Sequence, residues 1–161
     1  MTFAFCPHCG AALVEKPIGD EGLVPYCESC ARPHFSFSYA CVICCVFDPA
    51  KEQVLLIRQS YGEKRYVCVA GYVKQGETIE ETAAREVLEE TGLTASSLRY
   101  VRSYYYPKRD QLMFGFAVQA AKSDICLSCE VEEAQWFSVA EARERLREAK
   151  IAAQLLEDAL R

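Results

Sequence analysis

One stretch of this chain, Gly71 to Leu93 (GYVKQGETIEETAAREVLEETGL), constrains its fold more tightly than any other. It reads as the end of a strand, a turn and then a helix. Thr78 is placed as the helix N-cap, and Glu81 three residues on completes a capping box. Ile79, Ala83 and Val87 recur at helical spacing and predict the buried stripe, while Gly92 stands where a glycine ends a helix. Glu86, Glu89 and Glu90 then fall at i, i+3 and i+4 on one face. A Glu-rich helix is ordinarily a solvated face. Three anions this close repel one another, however, and hard oxygen-seeking cations such as Mg²⁺ or Mn²⁺ turn that repulsion into attraction.

The same residues match the signature G-x5-E-x7-R-E-U-x-E-E-x-G-U, with U aliphatic, at each fixed position: Gly71, Glu77, Arg85, Glu86, Val87, Glu89, Glu90, Gly92 and Leu93. That signature is the Nudix box, and the chain resembles a Nudix hydrolase. The resemblance implies an α+β fold, a mixed β-sheet flanked by helices. It also implies metal-dependent hydrolysis of a diphosphate linkage. Glu86 and Glu90 would be direct ligands of Mg²⁺ or Mn²⁺, with Glu89 a further ligand or the base for water. The backbone carbonyl of Ala70 or Gly71 would add a ligand, and Arg85 with Glu77 would orient the loop and helix. The family often takes another carboxylate from a later loop. Of Glu130, Glu132 and Glu133, Glu133 is the choice here, set against the ordinary reading of all three as an exposed acidic turn.

With 161 residues and 51% hydrophobic content, the chain suffices for one ordinary domain with a small appendage. A net charge of −5 argues against broad nucleic-acid binding through a basic surface, leaving room for a local patch. No apolar run is long enough to span a membrane, and MTFAFCPHCG lacks the basic start and apolar core of a secretion signal. A cytoplasmic location is the expectation, and there ten cysteines read as thiols and metal ligands rather than disulfides.

Two knuckles stand out in the first segment, Cys6-Pro-His-Cys9-Gly10 and Cys27-Glu-Ser-Cys30. Cys6, Cys9, Cys27 and Cys30 match a tetrahedral Zn²⁺ site, which leaves His8 and His34 as bystanders. Four thiolates leave no open coordination position, so the ribbon is read as structural. Cys41, Cys44, Cys45 and Cys68 lie in apolar strand-like runs and act as small hydrophobes. Cys126-Leu-Ser-Cys129 is a further CxxC, set aside as a metal site because it lacks a turn glycine.

The pattern changes near Phe37, which predicts a ribbon over residues 1–37 and a second domain over 38–161. SYACVICCVF and VLLIRQ read as a hairpin, and Arg65 to Val73 as a strand feeding the Nudix turn. Leu98 to Tyr106 and Gln111 to Ala121 form a long hairpin around Pro107-Lys108-Arg109-Asp110, and Ala134 to Phe137 a short strand. Ser138-Val-Ala-Glu141 opens a charged helix running to Lys150, and Ile151 to Leu160 a final amphipathic one.

Three features narrow the resemblance to the NADH pyrophosphatase (NAD diphosphatase) branch of the family. The four-cysteine ribbon lies directly before the Nudix domain. Ser103 to Met113 (SYYYPKRDQLM) stands where that branch has S-Q-P-W-P-F-P-x-S-L-M, and Ile151-Ala152 with Leu156-Glu157-Asp158 is similar to its I-A-x-x-L-I-E-D. The resemblance implies cleavage of NADH or NAD⁺ into a nicotinamide mononucleotide and AMP, in a homodimer. ADP-ribose, dinucleoside polyphosphates, oxidised nucleotides and NAD-capped RNA are the alternatives. By that resemblance Tyr104, Tyr105, Tyr106, Lys108, Arg109 and Ala152 would meet the substrate, the tyrosines by stacking and the cations at a phosphate. The ordinary reading of alternate tyrosines is packing. Tyr106 in place of tryptophan and Lys108-Arg109 in place of Phe-Pro depart from the branch, as does the missing additional N-terminal domain of its longer members. A rival of another class is a non-catalytic nucleotide-sensing or RNA-binding module, against which the intact set Glu86, Glu89 and Glu90 weighs.

Overall fold

The computed structural model describes residues 3–161, which divide between Tyr39 and Ala40 into two compact units. The first holds a three-stranded antiparallel sheet of β1 (Val14–Pro17), β2 (Leu23–Cys27) and β3 (Arg32–Pro33), in that order. Before it, the Gly10 N–H donates to the Cys6 carbonyl at 2.8 Å and the Cys6 N–H to the Ala11 carbonyl at 2.8 Å, which folds the chain around the first cysteine pair.

The second unit is built on a seven-stranded sheet. Its strands are β4 (Tyr39–Phe47), β5 (Gln53–Gln59), β6 (Tyr66–Val67), β7 (Val69–Tyr72), β8 (Ala95–Tyr106), β9 (Gln111–Ala120) and β10 (Val131–Ser138). The order is β10-β5-β4-β9-β8, with β6 paired to β5 and β7 to β4. β4 is buried without a break from Cys41 to Phe47 because both faces of the sheet are covered. Cys41, Ile43, Cys45 and Phe47 point to one core, while Val42, Cys44 and Val46 point to the other. A strand buried on both sides reads as an unbroken apolar run rather than an alternation.

Helix α1 (Ile79–Thr91) covers the second core through Ala83 and Val87. Both halves of its capping box form: Thr78 Oγ1 accepts from the Glu81 N–H at 3.2 Å, and Glu81 Oε2 accepts from the Thr78 N–H at 2.8 Å. Gly92 ends it at φ 73°, a left-handed conformation in which its N–H still donates to the Leu88 carbonyl at 2.8 Å. The first core is closed by α2 (Val139–Leu146) and α3 (Lys150–Ala159), through Ala142, Leu146, Leu155 and Leu156. Each fully buried leucine of that set contributes roughly 1.5–3 kcal/mol by leaving water.

The main differences from the sequence expectation are three. The single strand expected over Arg65 to Val73 is two, because β6 pairs with β5 and β7 with β4, the change falling at Cys68. The charged helix stops at Leu146 rather than Lys150, and the chain turns at 147–149 before α3 starts. β10 is twice the expected length, starting at Val131 with a register shift between Val131 and Glu133. No helix among the described residues is long and apolar enough to cross a membrane.

Candidate active site

Arg85 is the hub of the loop and helix. Its Nε and Nη2 donate to Glu77 Oε1 and Oε2 at 2.7 and 2.9 Å, a bidentate grip that ties α1 to the turn before it. Nη1 donates to Glu86 Oε1 at 2.7 Å and to Glu89 Oε2 at 2.9 Å, and Nη2 reaches the Tyr72 carbonyl at 3.2 Å on β7. Glu77 also accepts from Thr82 Oγ1 at 2.9 Å and from the Lys74 N–H at 3.2 Å. The Arg85 guanidinium, helped by Thr82 and the Lys74 amide, holds the Glu77 carboxyl down at about 2 against the opposing effect of desolvation.

The three helix glutamates differ in setting. Glu89 is exposed and shared between Arg85 and Lys74, whose Nζ lies 3.7 Å from its Oε1. Glu86 sits directly beneath Gly71: a Cβ at that glycine would come within 2.0 Å of the Glu86 carboxylate, so only glycine leaves the room. Glu90 is 4% exposed, accepts from the Ala70 backbone N–H, and has an Oε2 with no partner. Burial, and then the charges of Glu86, Glu130 and Glu89, push its carboxyl up to about 8. A buried carboxylate oxygen without a donor, facing further carboxylates, fits a hard divalent cation as the missing partner. Backbone at Ala70 and Gly71 lines the same place.

Glu133, the loop carboxylate expected at the site, is engaged elsewhere. Glu133 lies in an ion pair with Arg58, Nη2 to Oε2 at 2.7 Å, and Glu132 in one with Lys64 at 2.6 Å. Glu130 is the acidic residue of that loop whose charge acts on Glu90. Its backbone is anchored by Ser60, whose N–H and Oγ donate to the Glu130 carbonyl at 2.9 and 3.1 Å. The signal for this is the alternation of β10. Ala134 and Trp136 pack on the core that α1 covers, which turns Glu133 to the opposite face with Phe137.

Of the residues expected at the substrate, Tyr104 is corrected. It is 7% exposed in the core under α3, and its hydroxyl donates to Asp158 Oδ2 at 3.0 Å, so it packs rather than offering a ring face. Tyr106 shares its face of β8 and packs half-buried against the same core. Tyr105 points the other way, 56% exposed, with its hydroxyl donating to Asp110 Oδ1 at 2.6 Å. Lys108 and Arg109 occupy the hairpin turn, without a carboxylate within ion-pair reach among the described residues. Ala152 is buried in the first turn of α3, packed in the core. A cavity of about 110 Å³ lined by Phe47, Lys51, Arg99 and Gln119 holds none of these residues.

In the ribbon, the sulfurs of Cys6, Cys9, Cys27 and Cys30 all lie within 4.8 Å of one another. Cys9 and Cys27 are 3.5 Å apart and Cys6 and Cys30 4.0 Å. Four thiolates on one tetrahedral Zn²⁺ at Zn–S of about 2.3 Å stand roughly 3.8 Å apart, so the set fits that ion. Burial works against ionising Cys6, yet the backbone N–H groups of Cys9 and His8 hold its thiol down at about 6. His34 Nε2 lies 3.4 Å from Cys6 Sγ and stands outside the four-sulfur cluster.

A model of the NUDIX domain matches residues 38–159, and the chain belongs to the Nudix family. The helix with its glutamates is the family's signature element in the family's fold, a mixed sheet with helices on its faces. Among characterised relatives, the chain is 30% identical over 162 residues to the NAD-capped RNA hydrolase NudC of Vibrio cholerae serotype O1, covering 99% of this chain and 58% of that protein. It is 31% identical over 156 residues to the NudC of Edwardsiella ictaluri, covering 96% and 59%. The chain thus spans about three fifths of the length of these relatives. A solved NUDIX hydrolase from Nitrosomonas europaea shares the fold with a TM-score of 0.69 at 23% identity, over 98% of this chain and 88% of that one.

Proposed function

We propose that this protein hydrolyses a dinucleotide diphosphate linkage in a metal-dependent reaction, with NADH or NAD⁺ giving a nicotinamide mononucleotide and AMP. The single observation that carries the reading is Glu90, a buried carboxylate with an orphan oxygen set among Glu86, Glu89 and Glu130. The likeness to NudC proteins supports the choice of substrate, and NAD-capped RNA, named in those relatives, is the second candidate.

In this reading Glu86 and Glu90 would hold Mg²⁺ or Mn²⁺, together with Glu130 and a backbone carbonyl at Ala70 or Gly71. When bound, such ions neutralise the phosphate oxygens and activate a water for attack on phosphorus. The chain's own residues do the rest. Arg85 fixes Glu86 and Glu89 in place and, through Glu77, keeps the turn closed over α1. Glu89, exposed and held from both sides, is the group placed to take a proton from the attacking water. Arg109 and Lys108 on the hairpin turn are the cations open to a phosphate, and Tyr106 is the half-buried ring beside them.

The domain layout in this proposal is a Zn²⁺ ribbon over 1–37 and a catalytic domain over 38–161. The six cysteines outside the ribbon, read as thiols, fit a reducing, cytoplasmic setting. A homodimer is part of the same reading, supported by the branch resemblance. The test is a substrate panel of NADH, NAD⁺, ADP-ribose, diadenosine polyphosphates and NAD-capped RNA, with Mg²⁺ or Mn²⁺, read by product mass. Mononucleotide products from NADH support the proposal. Cleavage of ADP-ribose or a triphosphate with NADH untouched leaves only the family assignment, and no cleavage of any diphosphate favours a binding module.

A further inference from the structure

Outside the ribbon the cysteines fall into two groups. Cys41, Cys44, Cys45 and Cys68 are buried in the sheet, where desolvation pushes the Cys44 and Cys45 thiols well up and that of Cys41 to about 11. Such thiols are inert. Cys126 and Cys129 are both exposed, three residues apart in the connection between β9 and β10.

Each of these two is tied to the glutamate site from a different side. The Cys126 N–H donates to the Thr91 carbonyl at 2.9 Å, at the end of α1, and its Cβ lies against Gly92, where an added Cβ would approach to 2.8 Å. The Cys129 carbonyl accepts from Ser60 Oγ at 3.1 Å, and the next residue is Glu130, whose charge acts on Glu90. The pair therefore bridges the helix that carries three of the carboxylates and the loop that carries the fourth.

Residues 121–128 are irregular, and the turn in this connection lies later, closed by the Val131 N–H on the Ser128 carbonyl at 3.2 Å. A disulfide holds its two Cα atoms within about 7 Å, the span of a β-turn. Linking Cys126 to Cys129 would close a turn that the present hydrogen bonds do not make. The Ser128 to Val131 turn beside it carries Glu130 along.

We infer that Cys126 and Cys129 form a thiol–disulfide site for low-molecular-weight disulfides, and that closing it draws Glu130 away from Glu90. The thiolate of one cysteine attacks the small disulfide and releases one small thiol, leaving a mixed disulfide on the protein. The second cysteine, having lost its proton, attacks the protein sulfur of that bond and releases the other small thiol. Two protein thiols are oxidised, one small disulfide is reduced to two thiols, and the two protons end on those thiols. The effect on the glutamate cluster rests on the reading given under Proposed function, whereas the disulfide itself does not.

The experiment takes the full, zinc-loaded chain through oxidised and reduced glutathione, followed by trypsin. The tryptic peptide 123–143 contains Cys126 and Cys129 and no other cysteine. The expected result is that this peptide becomes lighter by two hydrogens while the peptide 66–74, which holds the buried Cys68, stays unchanged. Hydrogen exchange at the Ser60 amide accelerates, and Mn²⁺ affinity, read by electron paramagnetic resonance, weakens roughly tenfold or more. The double variant Cys126→Ser, Cys129→Ser keeps the reduced protein's Mn²⁺ affinity and is indifferent to oxidised glutathione. Persistent free thiols, or glutathione adducts that never close, overturn the inference, and so does a closed disulfide with Ser60 exchange and Mn²⁺ affinity unchanged. If the reduced protein binds no Mn²⁺, the glutamate reading has failed, and the peptide mass with Ser60 exchange still decides the disulfide site.

Discussion

Arg85 and Glu77 meet through two parallel hydrogen bonds, Nε to Oε1 at 2.7 Å and Nη2 to Oε2 at 2.9 Å, while Nη1 of the same guanidinium holds Glu86 and Glu89. Its acid dependence follows from the Glu77 carboxyl being held at about 2 in the fold. A depressed carboxyl contributes stability that is fully present above its unfolded value, near 4.3, and is lost as pH falls through about 2. Urea unfolding of the wild type and Glu77→Gln should therefore differ by a constant amount from pH 6 to 8, with the gap closing below about pH 4.3. A gap that widens in acid would contradict the clamp.

Gly71→Ala tests the space over Glu86. The added Cβ would stand 2.0 Å from the carboxylate, so Glu86 must move off its Arg85 contact. Activity should fall by orders of magnitude while circular dichroism stays that of the wild type. Near-normal turnover would show that Glu86 has no fixed place in the reaction.

Glu90 links cation binding to pH. In the metal-free fold its carboxyl is raised to about 8, so the fold itself becomes less stable as pH climbs from its unfolded value near 4.3 to about 8. A cation must displace that proton, so Mn²⁺ affinity should rise up to about tenfold per pH unit from 6 to 8 and level off above. In Glu90→Gln the slope should vanish. A flat profile in the wild type would remove Glu90 from the cation site.

Glu130 and Glu133 can be separated directly. Glu130→Gln should weaken Mn²⁺ binding roughly 10–100-fold, whereas Glu133→Gln, which disturbs the ion pair with Arg58 and the hydrogen bond from Tyr66, should leave it within a few-fold of wild type. The reverse order would restore the sequence-based choice of Glu133.

Tyr104→Phe removes the hydroxyl that donates to Asp158 while keeping the buried ring. Stability should drop by about 0.5–1.5 kcal/mol with turnover and KM unchanged. A selective rise in KM would return Tyr104 to the substrate.

How far the sequence carried varied with the kind of signal. α1, with Thr78, Glu81 and Gly92 at its ends, was legible because capping chemistry and helical periodicity agree there, and local rules decide both. Glu130, Glu132 and Glu133 look alike in the sequence, because three glutamates within four residues are told apart only by the register of β10 against β5, and that register shifts between Val131 and Glu133. At Tyr104 the sequence shows only a tyrosine run, whereas the burial comes from α3, some fifty residues later, packing over β8. The split of β6 from β7 depends likewise on which neighbour each pairs with, a long-range choice with no local mark.

The most direct test of the central claim compares the wild type and Glu90→Gln on NADH with Mn²⁺, following products by mass and the fold by circular dichroism. The wild type should release reduced nicotinamide mononucleotide and AMP, and the folded variant should do so orders of magnitude more slowly. A folded Glu90→Gln protein that cleaves NADH at close to the wild-type rate would contradict the assignment of the glutamate cluster as the hydrolytic centre.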